Sequence, residues 1–172
     1  VCPFNLAIAA GENAIMNGVE FQFETEASSI EKAKDGYIIH TNKGDMETKA
    51  IVNAAGLYSD KVSKMLGIDD YTIHPCRGEY FILDEKVGSK LSLPAYPVPN
   101  PKEGGLGIHL TPTIDGNVFI GPSSEYIDER DDYSATQKIM DLLIKDGGRI
   151  FPHIRRDDFI RNFAGIRPKL AS

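Results

Sequence analysis

The sequence predicts a chain in two parts, an α/β part followed by an α+β part with a mixed or antiparallel sheet and flanking helices. Two observations carry this. Residues 1–66 read as helix, strand, small meander, strand and helix. From Tyr71 the pattern changes to a long strand, a proline-rich loop, a hairpin, one helix and a closing strand. The boundary falls near residue 69, giving parts 1–69 and 70–172.

In the first part, Pro3 suits the opening turn of a helix, where its missing N–H costs nothing. Phe4, Ala7, Ile8, Gly11 and Ile15 fall on one helical face, and Gly18 supplies a stop. Val19, Phe21 and Phe23 alternate with Glu20, Gln22 and Glu24, which predicts a half-buried strand. Residues 27–33 and 37–41 flank Lys34-Asp35-Gly36 as a hairpin. Asn42-Lys43-Gly44 then turns the chain into a buried strand over 46–53. A short helix over 57–66 points Val62, Met65 and Leu66 inward and ends at Gly67. This order resembles the second half of a dinucleotide-binding fold.

In the second part, residues 71–84 form the long strand, and Pro94, Pro97, Pro99 and Pro101 mark a loop. Residues 106–114 and 117–121 form a hairpin on the tight-turn pair Asp115-Gly116. Ser134 with Gln137 reads as a capping box for a helix through Lys145, closed by Gly147-Gly148. The last strand covers 158–167.

Composition narrows the function. Hydrophobic content of 41% and charged content of 26% over 172 residues are ordinary for a soluble globular chain. No apolar run approaches the roughly 20 residues of a membrane span, and no signal-peptide pattern opens the sequence. A net charge of −6 with no basic block and no Trp argues against a nucleic-acid surface. Cys2 and Cys76 form neither a framework nor a CxxC pair, and two free thiols fit a cytoplasmic setting. The chain opens without Met and with an element already under way, so it is expected to be a piece of a longer protein.

Several residues carry candidate chemistry. In Phe163-Ala-Gly-Ile-Arg-Pro-Lys-Leu170, an apolar strand runs into Gly165 and presents Arg167 before Pro168 stops it. A guanidinium so placed is a fork for a carboxylate or phosphate; the plainer reading pairs it with Asp157 or Asp158. Arg161 shares its strand face but lies about 20 Å away at strand spacing. Arg155, Arg156 and Lys169 add to a basic C-terminal end, either a solvated edge or part of a local positive pocket. His109 projects opposite Ile108 and Leu110, either as a proton acceptor or as a polar residue on a solvated face. Asn53-Ala54-Ala55-Gly56 joins strand to helix, and its small side chains suit either close packing or the approach of an anion. Arg77-Gly-Glu-Tyr80 reads as an edge strand of mixed charge. Residues 104–107 are glycine-rich but precede a strand, so they read as a flexible loop. His40 and His153 read as surface residues. His74-Pro-Cys76 offers two ligands where zinc needs about four, so no metal is expected.

Six segments together resemble a known family. They are Ile51-Val-Asn-Ala-Ala-Gly-Leu-Tyr-Ser-Asp60, Pro75-Cys-Arg-Gly-Glu-Tyr80, Tyr96-Pro-Val-Pro-Asn-Pro101, Leu106-Gly-Ile-His-Leu-Thr-Pro112, Gly116-Asn-Val-Phe-Ile-Gly-Pro122 and Ala164-Gly-Ile-Arg-Pro168. Their order is similar to the FAD-dependent D-amino-acid oxidase/glycerol-3-phosphate dehydrogenase superfamily, most fully to its L-2-hydroxyglutarate oxidase branch. The resemblance implies a central portion of such an enzyme: the C-terminal part of an FAD-binding domain over 1–69 and a truncated substrate domain over 70–172. The GxGxxG strand–loop that opens family members, and the segment that closes over the flavin, are not in this sequence. On its own the chain is therefore expected to be inactive.

The resemblance further implies FAD as cofactor, approached by Asn53, Ala54, Ala55, Gly56, Gly165 and Ile166. It implies a small anionic hydroxy substrate held by Tyr80, Arg167 and Lys169, with His109 taking the hydroxyl proton. An amino-acid oxidase and a non-catalytic interaction module are the alternatives. The electron acceptor, quinone or oxygen, and peripheral membrane association of the full protein stay open.

Overall fold

The computed structural model describes residues 2–99 and 107–170. Asn100-Pro101, the glycines at 104 and 105, and the expected hairpin start at Leu106 lie outside the described residues. Two compact units divide the chain: residues up to Asn53 with Ser63–Ile68, and Ala54–Val62 with the chain from Asp69 onward. No helix among the described residues is long and apolar enough to cross a membrane.

In the first unit, α1 (Pro3–Met16) begins on Pro3 as expected, and Gly18 at φ +85° follows its last turn. Its apolar face forms but is not buried; Phe4 is 77% exposed. Three antiparallel strands follow, β1 (Ala27–Ala33), β2 (Gly36–Thr41) and β3 (Gly44–Thr48), in the order β1-β2-β3. His40 faces Asp45 across β2 and β3, with Nδ1 2.8 Å from the carboxylate and Glu31 3.5 Å from Nε2. It is therefore half-shielded rather than a free surface residue. The Asp45 hydrogen bond raises its pKa above the ordinary imidazole value.

One expected strand of this unit does not form, and another is cut short. Residues 19–24 join no ladder among the described residues, and Phe21 stacks on Phe23 with ring centroids 5.7 Å apart. β3 ends at Thr48, and Val52 in the expected buried strand is 91% exposed. Alternation alone does not make a strand; the backbone needs a partner to satisfy its N–H and C=O groups. The short helix does form, as a 3-10 turn over Gly56–Tyr58 continuing into α2 (Ser59–Met65).

The second unit is organised by β4 (Ile73–Leu83). Along one edge β4 pairs with β8 (Phe159–Leu170) over nearly its full length. Along the other it pairs with β6 (Val118–Gly121) at residues 81–83 and with β7 (Glu125–Tyr126) at Cys76 and Arg77. β5 (His109–Pro112) lies outside β6, and every pairing is antiparallel. The core beneath the sheet joins Phe81, Leu83, Leu110, Val118 and Ile120 to α3 (Glu85–Gly88) through Val87, and to α4 (Gln137–Ile150) through Ile139 and Leu143. Full burial of each large apolar side chain contributes about 1.5–3 kcal/mol.

The differences from expectation have local causes. Ser134 does not cap α4, because its hydroxyl accepts from Arg77 Nη1 at 2.6 Å; Thr136 caps instead, accepting from Ile139 N–H. Gly147-Gly148 do not end α4, which runs to Ile150. A Cβ on Gly147 would lie 2.4 Å from Ile120 Cδ1, so this glycine lets the helix settle on the sheet. The hairpin turn is a longer loop closed by Thr113 N–H to Asn117 O, not a two-residue turn on Asp115-Gly116. Pro168 does not stop β8, because β8 is paired only on one edge and a missing N–H can face outward. Arg77-Gly-Glu-Tyr80 is in the central strand, not an edge, and Glu79 is 0% exposed.

A buried ion pair fastens the start of β4. Asp60, 3% exposed, receives Arg130 Nη1 at 2.7 Å and Nη2 at 2.8 Å, with Ile73 N–H at 3.1 Å. The Arg130 hydrogen bond holds this carboxyl far below the usual carboxylate range. Because the folded pKa is depressed, the pair's contribution is complete above the unfolded value of about 4 and is lost as pH falls below it. Asp60→Asn should cost about 3–5 kcal/mol in urea unfolding at pH 7. It should also flatten the decline in stability below pH 4; an unchanged midpoint would contradict the assignment.

Candidate active site

Alternation along β4 gives the sheet two faces of opposite character. Arg77, Glu79, Phe81 and Leu83 point to the buried side, and Cys76, Gly78, Tyr80 and Ile82 to the other. Directly opposed residues share a face, so β8 places Arg167 beside Cys76, Gly165 beside Gly78, Phe163 beside Tyr80 and Arg161 beside Ile82. At the centre is a pair of glycines with no side chains. Aromatic rings border it on one side and the Arg167 guanidinium on the other.

The rings form a continuous wall. Tyr80 stacks on Phe163 at 5.3 Å between centroids, with planes 5° apart, and Phe119 meets Phe163 edge-on at 5.5 Å. His109, opposite Gly121 in the β5–β6 pair, meets Tyr80 edge-on at 6.3 Å. Gly121 makes this arrangement fit: its φ is +143°, and a Cβ there would lie 2.9 Å from Tyr80 Cδ1. His109 Nδ1 is 3.0 Å from the Gly107 carbonyl. A carbonyl can only accept, so Nδ1 carries the proton and Nε2 is left as the acceptor.

Arg167 folds back over Gly78, where a Cβ would lie 2.6 Å from Nη2. Nη2 donates to the Ser123 carbonyl at 2.8 Å, and Arg167 makes no ion pair with a described carboxylate. The expected competitors are occupied or elsewhere: Asp158 takes Lys86 at 3.1 Å and the Arg155 N–H at 2.7 Å. Arg156 bonds Asp141 on α4 and takes no part in this face. Burial pushes the Tyr80 phenol above its ordinary pKa, and the Arg167 charge pulls it partly back.

The structure thus brings Tyr80, His109, Gly165 and Arg167 to one face. Lys169 shares that face but reaches over the Tyr126 ring, 5.9 Å from its centroid. Ile166 points to the buried side, so only its backbone borders the face. Asn53 donates to Ser63 Oγ at 3.1 Å. In the second unit, Ala54 and Ala55 lead into the 3-10 turn at Gly56, which has φ +56° and open space where a Cβ would be. Sequence reasoning missed Gly78, Gly121, Ser123, Phe119 and Phe163, whose roles depend on register; the one local signal was Gly78 two residues before Tyr80.

A sequence model of the family described as FAD dependent oxidoreductase matches residues 1–172. The chain belongs to this family. It is 35% identical over 167 residues to a glycerol 3-phosphate dehydrogenase of Caloramator mitchellensis, covering 97% of this chain and 34% of that protein. It is 33% identical over 142 residues to the mitochondrial L-2-hydroxyglutarate dehydrogenase of Homo sapiens, covering 78% of this chain and 30% of that protein. In structure it is similar to the L-alpha-glycerophosphate oxidase of Mycoplasma pneumoniae, solved with FAD bound, with a TM-score of 0.73 and 26% identity over 91% of this chain and 42% of that one. The chain spans about a third of the length of the relatives it matches in sequence.

FAD is the cofactor of this family, and the face fits a planar group of that kind. A Cβ on Gly165 would meet nothing within 4 Å, which leaves a flat, open stretch of sheet beside the Tyr80–Phe163 stack. The proximity of Arg167 and Tyr80 can be checked without activity. Arg167→Gln should raise the Tyr80 pKa further, read by NMR titration of ring-labelled tyrosine with Tyr80→Phe for assignment. A Tyr80 titration that does not move would separate the two groups.

Proposed function

We propose that the chain is the central part of a flavoenzyme that oxidises the carbinol of a small anionic hydroxy compound. L-2-hydroxyglutarate and glycerol 3-phosphate are the two candidate substrates, suggested by the relatives' names. In this reading residues 1–69 contribute the C-terminal part of the FAD-binding domain and 70–172 most of the substrate domain. One observation carries it: a half-buried guanidinium without a described carboxylate partner shares a sheet face with an imidazole whose Nε2 is left as an acceptor with no described partner.

Arg167 would hold the substrate's carboxylate or phosphate with the donors that Ser123 does not use. The aromatic wall of Tyr80, Phe119 and Phe163 would exclude water beside it. His109 Nε2 would take the hydroxyl proton. FAD, when bound, supplies the acceptor for the hydrogen that leaves the carbinol carbon with its electron pair, so that a ketone results. Gly165, the backbone at Ile166 and the Asn53–Gly56 turn would admit the cofactor.

The same face argues against an amino acid as substrate. The strands present Arg161, Arg167 and Lys169 on it and no Asp or Glu, so a substrate ammonium would meet cations without a described counter-charge.

Steady-state kinetics of the full-length protein on both compounds test the reading. Arg167→Lys keeps the charge and loses the fork, so it should lower kcat/KM, more for the carboxylate than for the phosphate. His109→Ala should lower kcat by about 10²–10⁴-fold with the flavin retained. Unchanged kcat/KM in Arg167→Lys on the preferred substrate, or near-normal turnover in His109→Ala, would sink the corresponding role.

A further inference from the structure

We propose that Ser123 is a positioning residue that aims the Arg167 guanidinium at the bound anion; this rests on the reading of Arg167 as the anion clamp. Ser123 lies in the stretch between β6 and β7, where the ladder on that edge of β4 is interrupted. There its own groups replace the ladder. The Ser123 N–H donates to the Glu79 carbonyl at 3.1 Å, and its hydroxyl accepts the Glu79 N–H at 3.0 Å. The residue is 5% exposed, so neither bond is exchanged freely for water.

These two bonds hold Ser123 from both its backbone and its side chain, and with it the carbonyl that receives Arg167 Nη2 at 2.8 Å. The anchor continues below the sheet. The Glu79 carboxylate, fully buried, accepts the Thr136 N–H at 2.5 Å at the cap of α4, with Arg77 Nε 3.6 Å away. A chain of contacts therefore runs from the helix cap through Glu79 and Ser123 to the guanidinium. An arginine has many rotamers, and ordering it during binding opposes affinity. A carbonyl held in a fixed direction pre-selects one rotamer and the plane of the fork, while one bond leaves other N–H donors for a ligand.

The test uses the full-length, flavin-loaded protein with Ser123→Ala, Ser123→Thr and Arg167→Lys, assayed on whichever candidate substrate the wild type prefers. Ser123→Ala should raise KM roughly tenfold or more, as expected for a misaligned binding group, with kcat and flavin absorbance little changed. Ser123→Thr keeps the hydroxyl and should recover most of the loss. The Tyr80 titration adds a readout that a loss of stability alone would not move: Ser123→Ala should shift it upward, in the same direction as Arg167→Gln. If Ser123→Ala does not fold, Ser123→Cys, with a weaker acceptor of similar size, is read in the same way.

An unchanged KM in Ser123→Ala alongside a lowered kcat/KM in Arg167→Lys would overturn the inference and leave the clamp standing. An unchanged kcat/KM in Arg167→Lys would remove the clamp, and this inference with it.

Discussion

Strand β4 is paired along both edges, and alternation along it separates two electrostatic environments by the thickness of one sheet. Below, Arg77 and Glu79 are buried and bonded: Arg77 to Glu125 at 3.0 Å, to Asp132 and to Ser134, and Glu79 to the cap of α4. Burial and bonding of this kind are weak evidence for net stability, since desolvating charges is costly. Their consequence is for register. A slip of one residue would bring Gly78 and Tyr80 to the buried side and expose Arg77 and Glu79 without partners. The network makes that slip expensive, and the register it protects sets Arg167 beside Cys76 and Phe163 beside Tyr80.

The segregation of charge explains how an acidic chain can present an anion site. A net charge of −6 over these 172 residues opposes small anions in general. Among the described residues, the strands of the second sheet nevertheless present three cations and no carboxylate on the open face, because the described acids of this region are on the other side of the sheet or in the caps and turns. Arg161 and Lys169 contribute field, while Arg167, over Gly78, has the geometry for contact.

Local patterns made much of this legible. Helix α1, the meander of β1 to β3, the length of β4 and the β5–β6 hairpin follow from periodicity and turn residues. Alternation alone sets His109 opposite Leu110, and in β5 Leu110 is buried while His109 is only partly so. What could not be read depends on partners distant in sequence. Ser134 looks like a cap until Arg77, 57 residues earlier, takes its hydroxyl. Gly147 looks like a terminator until Ile120 is seen to fill the space above it. Pro168 looks like a stop until β8 is known to be paired on one side only. Residues 19–24 and 49–53 have strand composition and no ladder partner among the described residues, so their pattern met nothing to pair with. Family membership was legible because it rests on six short segments in order, which no single contact decides.

The central claim is that the arginine lying over the glycine pair grips the anion, and Gly78→Ala tests it most directly. Alanine is no worse than glycine for a strand backbone, but its methyl would occupy the position 2.6 Å from Arg167 Nη2, with Pro122 Cβ and Ser123 O each at 3.2 Å. The long arginine side chain is the group most able to move. In the full-length, flavin-loaded protein, Gly78→Ala should raise KM for the anionic substrate by roughly tenfold or more while flavin absorbance and thermal midpoint stay near wild type. An unchanged KM in a folded, flavin-loaded Gly78→Ala protein would contradict the account.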